Sequence, residues 1–290
     1  MRRIRLIIAY DGTNYSGWQI QDNSPTIEGE VRAALENLLN DMGEKREVEL
    51  IGASRTDAGV HAEGNVAVFD TEVSMPAQKF AYALNARLPE DIRVLQSEEV
   101  SDNFHPRYTS SHKTYVYQIL NTRIPIPTLT RYTHHLYEDI DINKMQEAVD
   151  FFIGEHDFSA FCSAGAQVRS KVRTIESLKV FAEGLSVGSG EGCGKNTSEY
   201  ESAPGSVVND DRSKALTISE NGGKIIRIEV TGTGFLYNMV RIIAGTLIEV
   251  GLGRRSPDTV KEAIETGERT LAGPTAPAKG LTLKGIVYDL

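Results

Sequence analysis

The chain reads as an α+β protein of two ferredoxin-like halves, each the split βαβ arrangement of an RRM-like domain. Two observations predict it. The order strand, helix, strand, strand, helix, strand runs through residues 4–95, and residues 112–288 approximate the same order. Within those segments apolar residues alternate where a strand is expected and recur at helical spacing where a helix is expected. Each half would form an antiparallel sheet with both helices on one face, leaving the other face free for a partner. The halves divide near residue 106, giving units 1–106 and 107–290.

The first strand spans Ile4 to Tyr10 and ends at Asp11-Gly12, a turn signal. The only tryptophan, Trp18, follows in Tyr15-Ser16-Gly17-Trp18-Gln19 and reads as a core anchor. Pro25-Thr26 opens a helix whose Val31, Leu35, Leu38 and Leu39 share a face. Val48-Glu49-Leu50-Ile51 is a second strand, and Asn65 to Phe69 a third that runs to Asp70. Pro76 opens a helix with Phe80, Ala83, Leu84 and Leu88 inward, and Asp91 to Leu95 is the fourth strand.

In the second half, His112 to Leu120 alternates as a strand, and Asp141 is an N-cap for a helix carrying Met145, Val149, Phe151 and Phe152. Arg173–Phe181 and Lys224–Val230 are strands, a helix spans Phe235 to about Val250, and a short one opens near Pro257. Gly285 to Tyr288 closes the chain as a strand. Residues 184–223 stand apart: rich in Gly and Ser, with Tyr200 as their one aromatic, they predict a mobile insertion between two strands.

A length of 290 residues suffices for about two ordinary domains with substantial cores. No apolar run approaches the roughly 20 residues that span a bilayer. The basic-then-apolar start, Met1 to Tyr10, imitates a signal peptide, but its apolar part is short and Asp11 interrupts it. Two cysteines, Cys162 and Cys193, make neither a disulfide framework nor a metal cluster. A cytoplasmic protein without a membrane segment is expected. A net charge of −9 argues mildly against nucleic acid, although a cleft needs only local basicity. There is no Walker-type loop and no His/Cys ligand spacing, so neither a metal nor a nucleotide cofactor is expected.

Between the second and third strands lies a compact polar loop, Gly52-Ala53-Ser54-Arg55-Thr56-Asp57-Ala58-Gly59-Val60-His61-Ala62. Its small residues allow a sharp bend and close approach of other backbone. Arg55 and Asp57, two apart, point to the same side of an extended segment. A carboxylate beside a guanidinium stays ionised, as a nucleophile or electrostatic stabiliser must. The plainer alternative is a salt-bridged turn.

The unbroken run Arg55 to Ala62 resembles the active-site motif of the tRNA pseudouridine synthase A (TruA) family. Tyr10-Asp11-Gly12 and Gly17-Trp18-Gln19 resemble that family's opening, and Phe104-His105-Pro106-Arg107, Lys113-Thr114-Tyr115-Val116-Tyr117 and Phe235-Leu236-Tyr237-Asn238-Met239-Val240-Arg241 resemble later stretches of it. The resemblance implies two antiparallel sheets joined across a central cleft, and isomerisation of uridine to pseudouridine at positions 38, 39 and 40 of the tRNA anticodon stem-loop. It implies a homodimer and no cofactor.

By the same resemblance Asp57 acts at the ribose, either attacking C1′ or removing a ribose proton, and Arg55 fills the space that a flipped uracil vacates. Tyr115 packs on the base, Arg241 reaches Asp57 and lowers its pKa, and Arg107 contacts phosphate. Tyr117 shares the strand face of Tyr115. His61 and His105 read as hydrogen-bonded scaffolding rather than general bases. The basic groups Lys113, Arg169, Lys171 and Arg173 are expected to line a backbone-binding cleft. Two other readings are a non-catalytic tandem RRM-like RNA-binding protein and a nucleosidase. The latter needs a second carboxylate, for which Glu63 is the nearest acid in sequence.

Overall fold

The computed structural model describes residues 1–165, 168–185 and 223–289. The expected insertion lies outside the described residues except for Gly184, Leu185 and Gly223, and so does Cys193. At the centre of the first half, β1 (Arg2–Tyr10) pairs antiparallel with β3 (His61–Thr71) on one side and β4 (Ile92–Val100) on the other. Its Ile4, Leu6, Ile8 and Tyr10 all point into the core, as the alternation requires. They pack under α1 (Ile27–Asp41) and α2 (Lys79–Asn85). The Thr26 hydroxyl caps α1 by accepting from the Gly29 N–H at 3.3 Å.

The second half is centred on β5 (Ser111–Asn121), flanked by β10 (Leu281–Tyr288) and β9 (Lys224–Gly232), with β8 (Val172–Gly184) and β7 (Gly154–Asp157) beyond β9. α3 (Ile142–Val149) is capped by Asp141, which accepts from Asn143 N at 3.0 Å and Lys144 N at 3.4 Å. α4 (Met239–Gly251) packs on α3 and is apolar nearly all round, so it is buried nearly all round. The short α5 (Asp258–Thr266) packs against the turns Asp150–Phe152 and Ser159–Phe161 that follow α3.

The two expected antiparallel sheets are one mixed ten-stranded sheet, ordered β4-β1-β3-β10-β5-β9-β8-β7. The outer edge of β3 explains the difference. β2 (Ile51–Gly52) covers only Val68 and Ala67, and β10 runs parallel to the vacant part, pairing Thr282 with His61 and Leu283 with Ala62. The second strand is two residues long rather than four, Val48, Glu49 and Leu50 forming no ladder with β3, and the last two residues of the polar loop belong to β3. Residues 53–60 leave the sheet where this shared edge changes hands.

Two short strands went unanticipated, β6 (His134–Leu136), parallel to β5, and β7. Both are too short and polar to show a period. α4 starts at Met239 rather than Phe235, because Asn238 takes a left-handed φ of 60° that cannot propagate a right-handed helix. Among the described residues no helix is long and apolar enough to cross a membrane.

Candidate active site

The loop between β2 and β3 is shaped by hydrogen bonds to buried groups. Asn65 interrupts the apolar run of β3, is fully buried, and clamps Ser54 at both ends. Its Oδ1 accepts from Ser54 N at 3.3 Å and its Nδ2 donates to Ser54 O at 3.1 Å. Thr56 shares a hydroxyl bond with Tyr10 at 2.7 Å and accepts from Trp18 N at 3.0 Å through its carbonyl. The loop then closes on itself, Val60 N donating to Asp57 O at 3.1 Å.

Residues 10–18 are thus the cradle of this loop, and their glycines are where backbone meets backbone. A methyl on Gly12 would lie 2.0 Å from the Val60 carbonyl oxygen. Gly12→Ala is therefore expected to lower stability by about 1–3 kcal/mol, as overpacking does. It should also displace Asp57, so that activity falls even well below the melting midpoint. A thermal melt paired with a rate measurement checks this, and a native-like rate would sink it.

Asp57 projects from this loop and is 20% exposed; Arg241, from the first turn of α4, is 17% exposed. The Arg241 Nη1 donates to Asp57 Oδ2 at 3.3 Å and to Asn238 Oδ1 at 2.8 Å, while Nε donates to the Ala276 carbonyl at 2.8 Å. The expected reach from α4 to the aspartate is present. The expected depression of its pKa is not, because burial raises the Asp57 carboxyl above its ordinary value and Arg241 offsets only part of the rise. Arg55 is exposed and forms no ion pair among the described residues. The partner of Asp57 is thus a cation 184 positions away, and the local Arg55–Asp57 salt bridge is absent.

Tyr115 is buried beside this pair, its ring edge-on to Phe235 with centroids 5.3 Å apart. Burial pushes its phenol up to about 12. Ser54 opposes the rise, although the Ser54 hydroxyl meets no partner in hydrogen-bond geometry, and the Asp57 charge adds to it. Tyr117, on the same strand face, is core: it is fully buried and donates to the Pro277 carbonyl at 3.0 Å.

Arg107 and Lys113 grip the loop from outside. Arg107 Nε donates to Gly52 O at 2.7 Å, and Lys113 Nζ to Ala53 O at 2.9 Å. Burial, with the Arg107 charge adding to it, brings the Lys113 ammonium down to about 8. Burial, then the Arg55 charge, pulls Arg107 down as well. Together Arg55, Asp57, Arg107, Lys113, Tyr115 and Arg241 line one cleft of about 620 Å³. Among the described residues Asp57 is the only carboxylate lining it; Glu63 pairs with Lys284 elsewhere.

Lys171 and Arg173 do not line the cleft. Lys171 is exposed, and Arg173 donates to the carbonyls of Ser170 and Val172 at 3.1 and 2.6 Å. Lys171 stands just before β8 and Arg173 is its second residue. Arg169 is likewise exposed and absent from the lining. His61 is buried outside the cleft, its Nδ1 accepting from Gly12 N at 3.1 Å. The His105 Nδ1 accepts from Arg107 N at 3.1 Å, and its ring stacks on Tyr108 at 4.2 Å.

Two residues of the site carried no assigned role in the sequence. Asn65 had a visible signal, a carboxamide at the start of an apolar period-two run. Asn238 had only its place before a helix, and nothing local shows which group its amide meets.

Comparison with known proteins agrees with this geometry. The tRNA pseudouridine synthase family profile matches residues 6–109 and 148–289. A protein named tRNA pseudouridine synthase A from Acetivibrio thermocellus is 42% identical over 288 residues, covering 99% of this chain and all of its own length. Another, tRNA pseudouridine synthase A 2 from Clostridium tetani, is 43% identical over 290 residues, covering 99% of each chain. With the motif loop, its distant arginine and its buried tyrosine assembled in one cleft, and likeness running the length of the chain, this protein belongs to the tRNA pseudouridine synthase family.

Proposed function

We propose that the chain converts uridine to pseudouridine at positions 38, 39 and 40 of the tRNA anticodon stem-loop, with Asp57 as its catalytic carboxylate. The observation that carries this is Asp57 as the one carboxylate, among the described residues, in a cleft that Arg55, Arg107, Lys113 and Arg241 also line, held by Arg241 beside an aromatic wall. In the reaction the N1–C1′ bond breaks, the uracil turns, C5 bonds to C1′, and the proton on C5 leaves while N1 gains one. The base must first leave the stack, at a cost of a few kcal/mol. Arg55, exposed and unpaired with Asp57, is free to fill the gap it leaves. Asp57 then acts at the ribose, where cation-like charge develops as the glycosidic bond lengthens. Tyr115 offers a flat face on which a detached ring can rotate.

Arg107 and Lys113 would take phosphate near the cleft, and Lys171 and Arg173 would meet RNA further out along β8. Two ferredoxin-like halves, 1–106 and 107–290, fit the strand orders β4-β1-β3-β2 and β10-β5-β9-β8. The protein would work as a cytoplasmic homodimer. Release of tritium from tRNA labelled at uridine C5 tests the activity. Tight tRNA binding without release would overturn it in favour of the non-catalytic RNA-binding reading.

One pH dependence follows from Lys113. Below about 8 its ammonium is charged and above about 8 it is neutral, so tRNA affinity is expected to fall severalfold as pH rises from 7 to 9. The salt slope should shrink by about one contact, roughly 0.7–0.9. Lys113→Arg should flatten the affinity profile, since arginine stays charged. A wild-type affinity independent of pH would remove Lys113 from the phosphate contacts.

A further inference from the structure

We propose that Asn238 is a positioning residue for the reaction, setting where Arg241 holds Asp57 and tying that setting through Ser163 to the far rim of the cleft. The proposal deepens the synthase reading and rests on it.

Three features set this asparagine apart from an ordinary helix cap. Its φ of 60° and ψ of 7° lie in the left-handed region, which only one other non-glycine, Asn23, enters among the described residues. Standing immediately before α4, it would normally cap the helix by accepting from a first-turn N–H. It makes no such bond. Its amide oxygen is turned instead to the Arg241 guanidinium at 2.8 Å.

The orientation of that amide is determined by chemistry. A guanidinium has only donors, so the oxygen must face it. The amide nitrogen then donates to Ser163 Oγ at 2.9 Å, and Ser163 N in turn donates to the Tyr237 carbonyl at 3.2 Å. Gly165, two residues on, lines the cleft. Rim segment, amide, guanidinium and carboxylate thus form one hydrogen-bonded chain.

Within that chain the amide decides the geometry. One nitrogen, Nη1 of Arg241, bridges Asn238 Oδ1 at 2.8 Å and Asp57 Oδ2 at 3.3 Å. The shorter bond goes to the neutral amide, and Nε is taken by Ala276 O at 2.8 Å. The guanidinium is fixed by its own half of the protein, and Asp57 meets it where it stands. The other ionisable groups that line the cleft with Asp57 are Tyr115 on β5, Arg55 on the same loop, Arg107 and Lys113.

Two substitutions separate this role from helix capping. Asn238→Gly suits a left-handed φ and removes only the amide. Asn238→Asp keeps the shape, and an aspartate at a helix start is structurally as good as an asparagine. A purely structural residue would therefore leave the Asp variant near native. A positioning residue would not, because a carboxylate at 238 competes with Asp57 for Arg241. The expected result is a kcat loss of about 10-fold for Asn238→Gly and about 100-fold for Asn238→Asp, in the range seen when a supporting partner is removed. The KM for tRNA should not change in either, and the acidic limb of kcat should move to higher pH. Native kcat and an unmoved limb in Asn238→Asp would overturn the proposal. Titration of the Asp57 carboxyl by carbon NMR gives a readout free of turnover. If wild-type protein releases no tritium, the synthase reading fails, and an unshifted Asp57 titration in Asn238→Asp would separately remove the link through Arg241.

Discussion

Asp57→Asn is expected to reduce pseudouridine formation by at least about 10⁴-fold while leaving tRNA affinity within a factor of a few. The substitution keeps the shape of the side chain and retains an oxygen that can accept from Arg241 Nη1. What it removes is the negative charge, and the cleft has no other carboxylate among the described residues to replace it. Loss of activity will not come from unfolding. The folded state holds the Asp57 pKa above its ordinary value, so it binds a proton more readily than the unfolded chain. Stability contributed by this group is then lost, not gained, as pH rises through that range, and ionised Asp57 opposes folding at neutral pH. The asparagine variant should melt at the same temperature as wild type or higher. Tritium release, a binding isotherm and a melt on the same preparation check all three statements. Retained release would end the assignment of Asp57.

Arg241→Met is expected to lower kcat by about 10²–10³-fold, the usual scale for removing a charge-stabilising donor. Three acceptors lose their donor at once: Asp57 Oδ2, Asn238 Oδ1 and Ala276 O. Burial already raises the Asp57 pKa, and the Arg241 guanidinium pulls it down. Without the guanidinium the carboxyl titrates higher still, and the acidic limb of kcat moves up. Raising the pH should therefore recover part of the lost rate in this variant, and none in Asp57→Asn. A rate deficit independent of pH would mean that Arg241 acts on substrate rather than on Asp57. Arg241→Lys should fall between the two, because an ammonium keeps the charge but cannot span three acceptors from a planar fork.

Much of this was legible in the residues. The alternation in β1 and the capped, one-sided helices α1 and α3 are local effects of period and cap chemistry, and they stand where the periods put them. Boundaries slipped where a tertiary demand overrode them. β2 shortened because Val48 to Leu50 stay out of the ladder with β3, and α4 began late because Asn238 turned left-handed. The basic cluster near residue 171 stands at the start of β8, and neither Lys171 nor Arg173 is among the side chains that line the cleft.

By itself, then, the sequence determined the order of the helices α1 to α5 and of the strands other than β6 and β7, the polar loop that carries Asp57, and the family to which an unbroken eight-residue motif belongs. Those features depend on neighbours a few residues apart. The resemblance already gave Arg241 as a partner of Asp57; only the tertiary structure decided that Arg55 forms no ion pair with it, and that burial lifts its pKa instead of letting the ion pair lower it. It also decided that Asn238 serves the guanidinium rather than its helix. Ion pairing and desolvation depend on distance through space and on exclusion of water. Both are set by how β10 draws the second half of the chain against the edge of β3.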